Sequence, residues 1–187
     1  ISEFSLSSPW EIDTATFVQV DSFGSFHVDA SDAYFKPDGT AVFVTDTTHD
    51  YVRRYNMSTA WDISTMSGVI DEYDATSIEA TPQGLTFNND GSKMYISGTT
   101  QDRISEVDLT TPWDVTTATF NNVTSDVLTD RDPYTLQFAD NGYKLYVLNR
   151  YCSALIGYSL STAYDISTMK VGGCADWLMP LEPLDLN

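Results

Sequence analysis

Pro112-Trp113-Asp114-Val115-Thr116-Thr117 decides the fold, because the stretch returns three more times with small changes. Its aromatic position is held by Trp10, Trp61, Trp113 and Tyr164, at intervals of 51, 52 and 51 residues. Self-similarity at one period makes the chain an array of a single supersecondary unit, each copy burying its apolar face against the next. The acid after the aromatic is Asp62, Asp114 and Asp165; in the first copy Glu11 takes that place and Asp13 falls two residues later. These acids are expected to accept from backbone N–H groups in Asx-turns. Regular recurrence predicts that the aromatics are packing anchors. The alternative, a sugar-stacking series, requires Trp61 and Trp113 to be solvent-accessible.

Each copy reads as four strands. A short apolar stretch comes first, Ala33-Tyr34-Phe35-Lys36, Leu85-Thr86-Phe87-Asn88 and Leu136-Gln137-Phe138-Ala139. Pro37-Asp38-Gly39, Asn89-Asp90-Gly91 and Asp140-Asn141-Gly142 follow, and their glycines supply the positive φ of a tight hairpin. A second alternating strand (Ala41–Val44, Lys93–Ile96, Lys144–Val147), a polar loop, a third strand (Tyr51–Tyr55, Arg103–Val107, Ala154–Tyr158) and a less regular fourth complete the unit. Four antiparallel strands every fifty residues, with no helical periodicity between them, predict an all-β propeller of four-stranded antiparallel blades.

Phe35-Lys36-Pro37-Asp38-Gly39-Thr40 with Val42-Phe43-Val44 resembles the hairpin signature of YVTN and NHL-like propeller repeats. The form carrying Pro112-Trp113-Asp114 is similar to repeats of secreted proteins and phage structural proteins of marine microbes. The resemblance spans essentially the whole chain and implies blade architecture. It leaves function open, because such propellers include adhesins, lectins, scaffolds and lactonase-like enzymes.

Alignment of the ends predicts three complete blades with flanking pieces: a partial blade over 1–23, blades over 24–75, 76–126 and 127–177, and the start of another over 178–187. Ile1-Ser2-Glu3-Phe4 matches the third strand beginning at Ile104, and Leu184-Asp185-Leu186-Asn187 matches the first strand beginning at Leu85. A propeller has to close, so the ring is expected to be completed by the remainder of a longer chain, or by the terminal pieces meeting within one chain or in a homo-oligomer, the third reading being a truncated open arc.

A formal net charge of −18 in 187 residues opposes nucleic acid and anionic surfaces as partners. No apolar run of about 18 residues exists for membrane insertion. The same acidity offers carboxylates to divalent cations, so calcium is the one candidate in a chain otherwise expected to carry no cofactor.

Function is expected where the repeat fails to repeat, on the face formed by the loops between second and third strands and by the connections between blades. The candidates are His27, Asp46, His49, Asp50, Asp102, Asp130, Arg131, Arg150 and Tyr151. Histidine and carboxylates suit proton transfer or metal ligation, yet no ligand spacing recurs and no catalytic residue is assigned. Cys152 and Cys174 flank the third and fourth strands of the last full blade, which predicts a disulfide and an oxidising compartment, with two buried free thiols as the alternative. The expectation is an extracellular or virion-surface module that binds protein or glycan, the alternative a calcium-dependent lactonase-like hydrolase.

Overall fold

The computed structural model describes residues 1–21, 29–125 and 132–170. They form four antiparallel sheets in chain order. The first pairs β1 (Ser2–Leu6) with β2 (Ala15–Val20). Two complete blades follow, β3 (Ala30–Phe35), β4 (Ala41–Asp46), β5 (Tyr51–Met57) and β6 (Met66–Asp74), then β7 (Pro82–Phe87), β8 (Lys93–Gly98), β9 (Ile104–Leu109) and β10 (Ala118–Ser125). The last sheet holds β11 (Pro133–Ala139), β12 (Lys144–Asn149) and β13 (Ala154–Ser159). Each sheet is ordered as the chain runs, so the fold is all-β and built of propeller blades, and the described sheets do not close into a ring.

The core lies between sheets. One apolar cluster joins Phe43 and Val52 to Leu85, Phe87, Met94 and Val115, and a second joins Tyr95 and Ile104 to Leu136, Phe138, Val147 and Ile166. Being covered on both faces, β4 is buried at every residue. The equivalent β12 alternates, and Tyr146 is 37% exposed where Phe43 and Tyr95 are 0%.

Each joint between blades repeats one arrangement. Phe43 on β4 meets Phe87 of the next blade at a ring separation of 4.7 Å, and Phe87 meets Trp113 at 5.3 Å. One period later Tyr95 meets Phe138 at 4.7 Å and Phe138 meets Tyr164 at 5.1 Å. Edge and tilted ring contacts of this kind contribute about 0.5–1.5 kcal/mol beyond the area they bury. Phe35 and Trp61 stack at 5.9 Å as the same half-joint, but no second-strand aromatic precedes them among the described residues, and Trp61 remains 54% exposed. Its accessibility therefore follows from its place in the array. Trp113, enclosed by Tyr34, Phe43 and Phe87, is the packing anchor the repeat predicts.

The loop that carries the aromatic has a conformation the repeat does not advertise. Trp10, Trp61, Trp113 and Tyr164 all have positive φ, between 61° and 68°. Each is the third residue of a β-turn, closed by Asp62 N–H to Thr59 O at 3.2 Å and by Asp114 N–H to Thr111 O at 3.1 Å. Pro9 and Pro112 stand second in their turns, where a proline-fixed φ suits type II geometry. A bulky residue there costs about 1–2 kcal/mol, offset by burial of the ring and by a bond from its N–H to the hairpin glycine, Trp113 to Gly91 O at 3.0 Å. Gly91, at φ 74°, lies directly under the indole, so that a Cβ would fall inside the ring; Gly39 and Gly142 lie under Trp61 and Tyr164 in the same way.

After each turn a three-residue 3-10 segment begins, and Asp62, Asp114 and Asp165 accept from the N–H of Ser64, Thr116 and Ser167, each at 3.0 Å. The first copy, with Glu11, has no such side-chain bond. Hydroxyl and backbone donors also hold the hairpin carboxyls low. The Ser92 hydroxyl and N–H depress Asp90, and Lys36 followed by Thr40 depresses Asp38. A carboxylate with a depressed folded pKa stabilises the fold above its ordinary value of 3.8, and the contribution is lost as pH falls through the folded pKa. Urea midpoints of the wild type should thus drop on acidification below 3.8, and Asp38→Asn with Asp90→Asn should make that decline shallower.

Candidate functional site

The innermost strands meet through polar bonds that fix the blades on which the loops ride. The Asp32 carboxylate accepts from Ala33 N–H at 2.8 Å in its own strand, from Leu85 N–H at 3.1 Å on β7, and from the Thr135 hydroxyl at 2.8 Å on β11. One side chain thereby ties three blades together. The Thr45 hydroxyl adds a bond to Gln83 O at 3.1 Å.

At the loop face, Asp46 ends β4 with no exposed surface. It accepts from the N–H groups of Thr48 (3.0 Å) and His49 (3.3 Å), lies 2.8 Å from His49 Nδ1 and pairs with Arg53 Nη1 at 2.8 Å. Arg53 also reaches Glu72 at 3.5 Å and lies over the Tyr51 ring. The side chain of His49 stays 45% exposed. Asp50 follows at φ 61°; burial, then the charges of Asp74 and Asp46, push its carboxyl above the usual range, with His49 opposing them.

Across the repeats these polar residues share one task. Asp46 aligns with Gly98 and Asn149. In the last sheet Asn149 Oδ1 accepts from Cys152 N–H at 3.1 Å, as Asp46 does from His49. The middle blade has no side chain at Gly98, and Glu79 from the preceding connection fills the place, accepting from Thr100 N–H at 3.1 Å and Gln101 N–H at 3.2 Å. A Cβ on Gly98 would strike the Glu79 side chain. Burial raises the Glu79 carboxyl, while the N–H groups of Gln101, Thr100 and Thr81 oppose the shift. The signal for Glu79 was the glycine standing where the other copies carry Asp or Asn.

The remaining candidates gather between the second and third blades. Asp102 accepts from Asp132 N–H at 3.1 Å, and Asp132 lies 3.4 Å from an Arg150 guanidinium nitrogen. Arg150 sits over the Tyr134 ring at 5.7 Å. Tyr134, Leu148, Asn149, Arg150 and Ser153 line a surface cavity of about 390 Å³, and the neighbouring Tyr151 is 71% exposed. Arg53 was absent from the sequence candidates because it lies within a strand that read as scaffold, and Tyr134 because it stands just before one. His27, Asp130, Arg131 and Cys174 lie outside the described residues, so the pairing of Cys152 with Cys174 stays an expectation. Among the described residues no three His, Cys, Asp or Glu side chains converge as metal ligands, and no helix is long and apolar enough to cross a membrane.

No family model matches the chain, and no curated protein matches it. Solved structures do. A protein from Lactobacillus plantarum superposes with a TM-score of 0.57 at 11% identity, covering 91% of this chain and 47% of its own. The periplasmic gluconolactonase of Pseudomonas aeruginosa gives 0.51 at 15% identity, with 88% and 47% covered. The Cps50 (Swd1) β-propeller domain of Myceliophteria thermophila gives 0.50 at 9% identity, with 71% and 38% covered. The chain thus spans less than half of each of these three structures, and at these identities the likeness establishes the β-propeller fold alone.

Proposed function

We propose that this chain is a non-enzymatic binding module, extracellular or on a virion surface, which engages a protein or glycan through its loop face. One observation carries the reading: four carboxylates of the described face, Asp46, Glu79, Asp102 and Asp132, are engaged in holding the chain itself. Asp46 and Glu79 cap backbone N–H groups, and Asp132 faces Arg150. What the face offers outward is Tyr151, Arg150 over Tyr134, and the His49 ring. Aromatic and guanidinium groups beside a shallow cavity suit recognition by stacking and hydrogen bonding. The net charge of −18 selects neutral or cationic partners.

The 2.8 Å approach of His49 to Asp46, on a fold shared with a gluconolactonase, supports a second reading as a calcium-dependent lactonase. The two separate in a paired assay. A panel of neutral glycans should show saturable binding that falls about tenfold or more in Arg150→Ala/Tyr151→Ala, as expected for aromatic and Arg anchors. Gluconolactone with calcium should hydrolyse no faster than spontaneously. Calcium-dependent turnover abolished by His49→Ala would replace the first reading with the second.

A further inference from the structure

The chain holds two sequences of the N-glycan acceptor type, Asn56-Met57-Ser58 and Asn122-Val123-Thr124, and the fold treats them differently. Asn56 lies in β5, between β4 and β6, and is half-buried. Its amide oxygen accepts from Arg54 Nε at 3.1 Å and its backbone N–H donates to the Ser67 hydroxyl at 3.0 Å. With Arg54, Met57 and Ile70 it lines a cavity of about 430 Å³. Asn122 stands on the outermost strand of the second complete blade, with a described sheet on either side, so its exposure owes nothing to where the array ends.

β10 bulges at this point. Four residues of β6, Val69–Glu72, stand opposite Arg53–Tyr55, whereas five of β10, Phe120–Thr124, stand opposite Ser105–Val107. The bulge is pinned by Asn121. Its Nδ2 donates to Glu106 Oε1 at 3.1 Å and to Asp108 Oδ2 at 2.9 Å, and its Oδ1 accepts from Val123 N–H at 2.9 Å. Bulges re-aim a side chain out of the regular ladder. Asn122 is held here at φ 62°, which asparagine tolerates better than most side chains, and is exposed. That conformation alone calls for Asn122 and not for Thr124, the hydroxyl residue that completes an acceptor sequence.

We propose that Asn122 is an N-glycosylation acceptor, its donor an oligosaccharide carried on a polyprenyl diphosphate. The inference rests on the extracellular reading above, because such donors serve chains on their way out of the cell. A bond forms between Asn122 Nδ2 and C1 of the first sugar as the bond from C1 to the diphosphate oxygen breaks. The polyprenyl diphosphate leaves with the bonding pair, and the amide gives up one proton. The transferase meets the chain before it folds, and the fold then selects. The bulge keeps a sugar on Asn122 in solvent, whereas a sugar on Asn56 has to be housed inside the blade beside Arg54. On the outer strand and not in the loops, the glycan leaves the binding face clear.

The test sends the full chain, led by a secretory signal sequence, through a eukaryotic host. The folded, secreted fraction is treated with the amidase that removes N-glycans and turns the bearing asparagine into aspartate, and its peptides are read by mass. Conversion is expected at Asn122 and not at Asn56. The mobility shift on deglycosylation should be lost in Thr124→Ala and kept in Thr124→Ser. Asn122→Gly, which suits φ 62° and carries no amide, should lose the shift as well and covers the case of a Thr124 variant that fails to fold. A folded, secreted chain with Asn122 unmodified overturns the proposal, and so does one with sugar on Asn56 instead. Because the added signal supplies the compartment, an unmodified Asn122 counts against the site alone, whereas absence of glycan binding in the paired assay counts against the binding-module reading alone.

Discussion

Gly91→Ala is expected to lower the thermal midpoint by roughly 10 °C, taking about 2–4 °C per kcal/mol for a chain of this size. Two costs combine. Alanine at φ 74° leaves the region open to ordinary side chains, about 1–2 kcal/mol, and its methyl enters the Trp113 ring, an overpacking cost of about 1–3 kcal/mol. Trp113→Ala alone should lose about 3–5 kcal/mol, because the indole also covers Tyr34, Phe43 and Phe87. The two changes should not add. With the ring gone, Gly91→Ala retains only its backbone cost, so a double-mutant cycle by urea unfolding should show a coupling of about 1–3 kcal/mol. Equal costs in both backgrounds would mean that something other than the indole enforces glycine at this turn.

The second large effect belongs to Asp46. Removing a fully buried carboxylate opposite Arg53 takes the closer of two ion pairs, 2.8 Å against 3.5 Å to Glu72, from a guanidinium with 8% side-chain exposure. Asp46→Ala should therefore cost about 3–5 kcal/mol in urea unfolding. Asp46→Asn should cost appreciably less. An amide oxygen can still accept from the N–H groups of Thr48 and His49, as Asn149 does for Cys152 in the last sheet. His49→Ala should lie within about 0.5 kcal/mol, as surface substitutions do. Equal losses in the Asn and Ala variants would place the weight on the charge pair instead of the cap.

The period, the hairpin turns and the antiparallel order were legible because each rests on local chemistry repeated at 51 or 52 residues. So was the capping by Asp62, Asp114 and Asp165. The positive φ of Trp10, Trp61, Trp113 and Tyr164 was not. Nothing in a tryptophan signals that conformation; it depends on a glycine about 22 residues earlier, such as Gly91 beneath Trp113. The loop face was read as the variable face, and among the described residues His49, Asp50, Asp102, Arg150 and Tyr151 lie in the loops between second and third strands. Their work is less individual than it looked, because Asp46, Glu79 and Asn149 serve one cap from two different points in the unit. Asp32 escaped as a tie among three blades because its partners lie 53 and 103 residues away.

The offset of the aromatic joint has a consequence for how such a chain can change. Both complete joints among the described residues take their second-strand ring from one unit and their other two rings from the next, as Phe43 does with Phe87 and Trp113. A segment of one full period therefore brings one first-strand ring, one second-strand ring and one loop ring, whatever residue it starts from. Insertion or excision of whole periods leaves every contact between neighbours in kind, and growth of the array by unequal crossing-over needs no compensating substitution at the seams. A single ring altered within one copy does need one, and the residue that answers it lies in the adjacent copy.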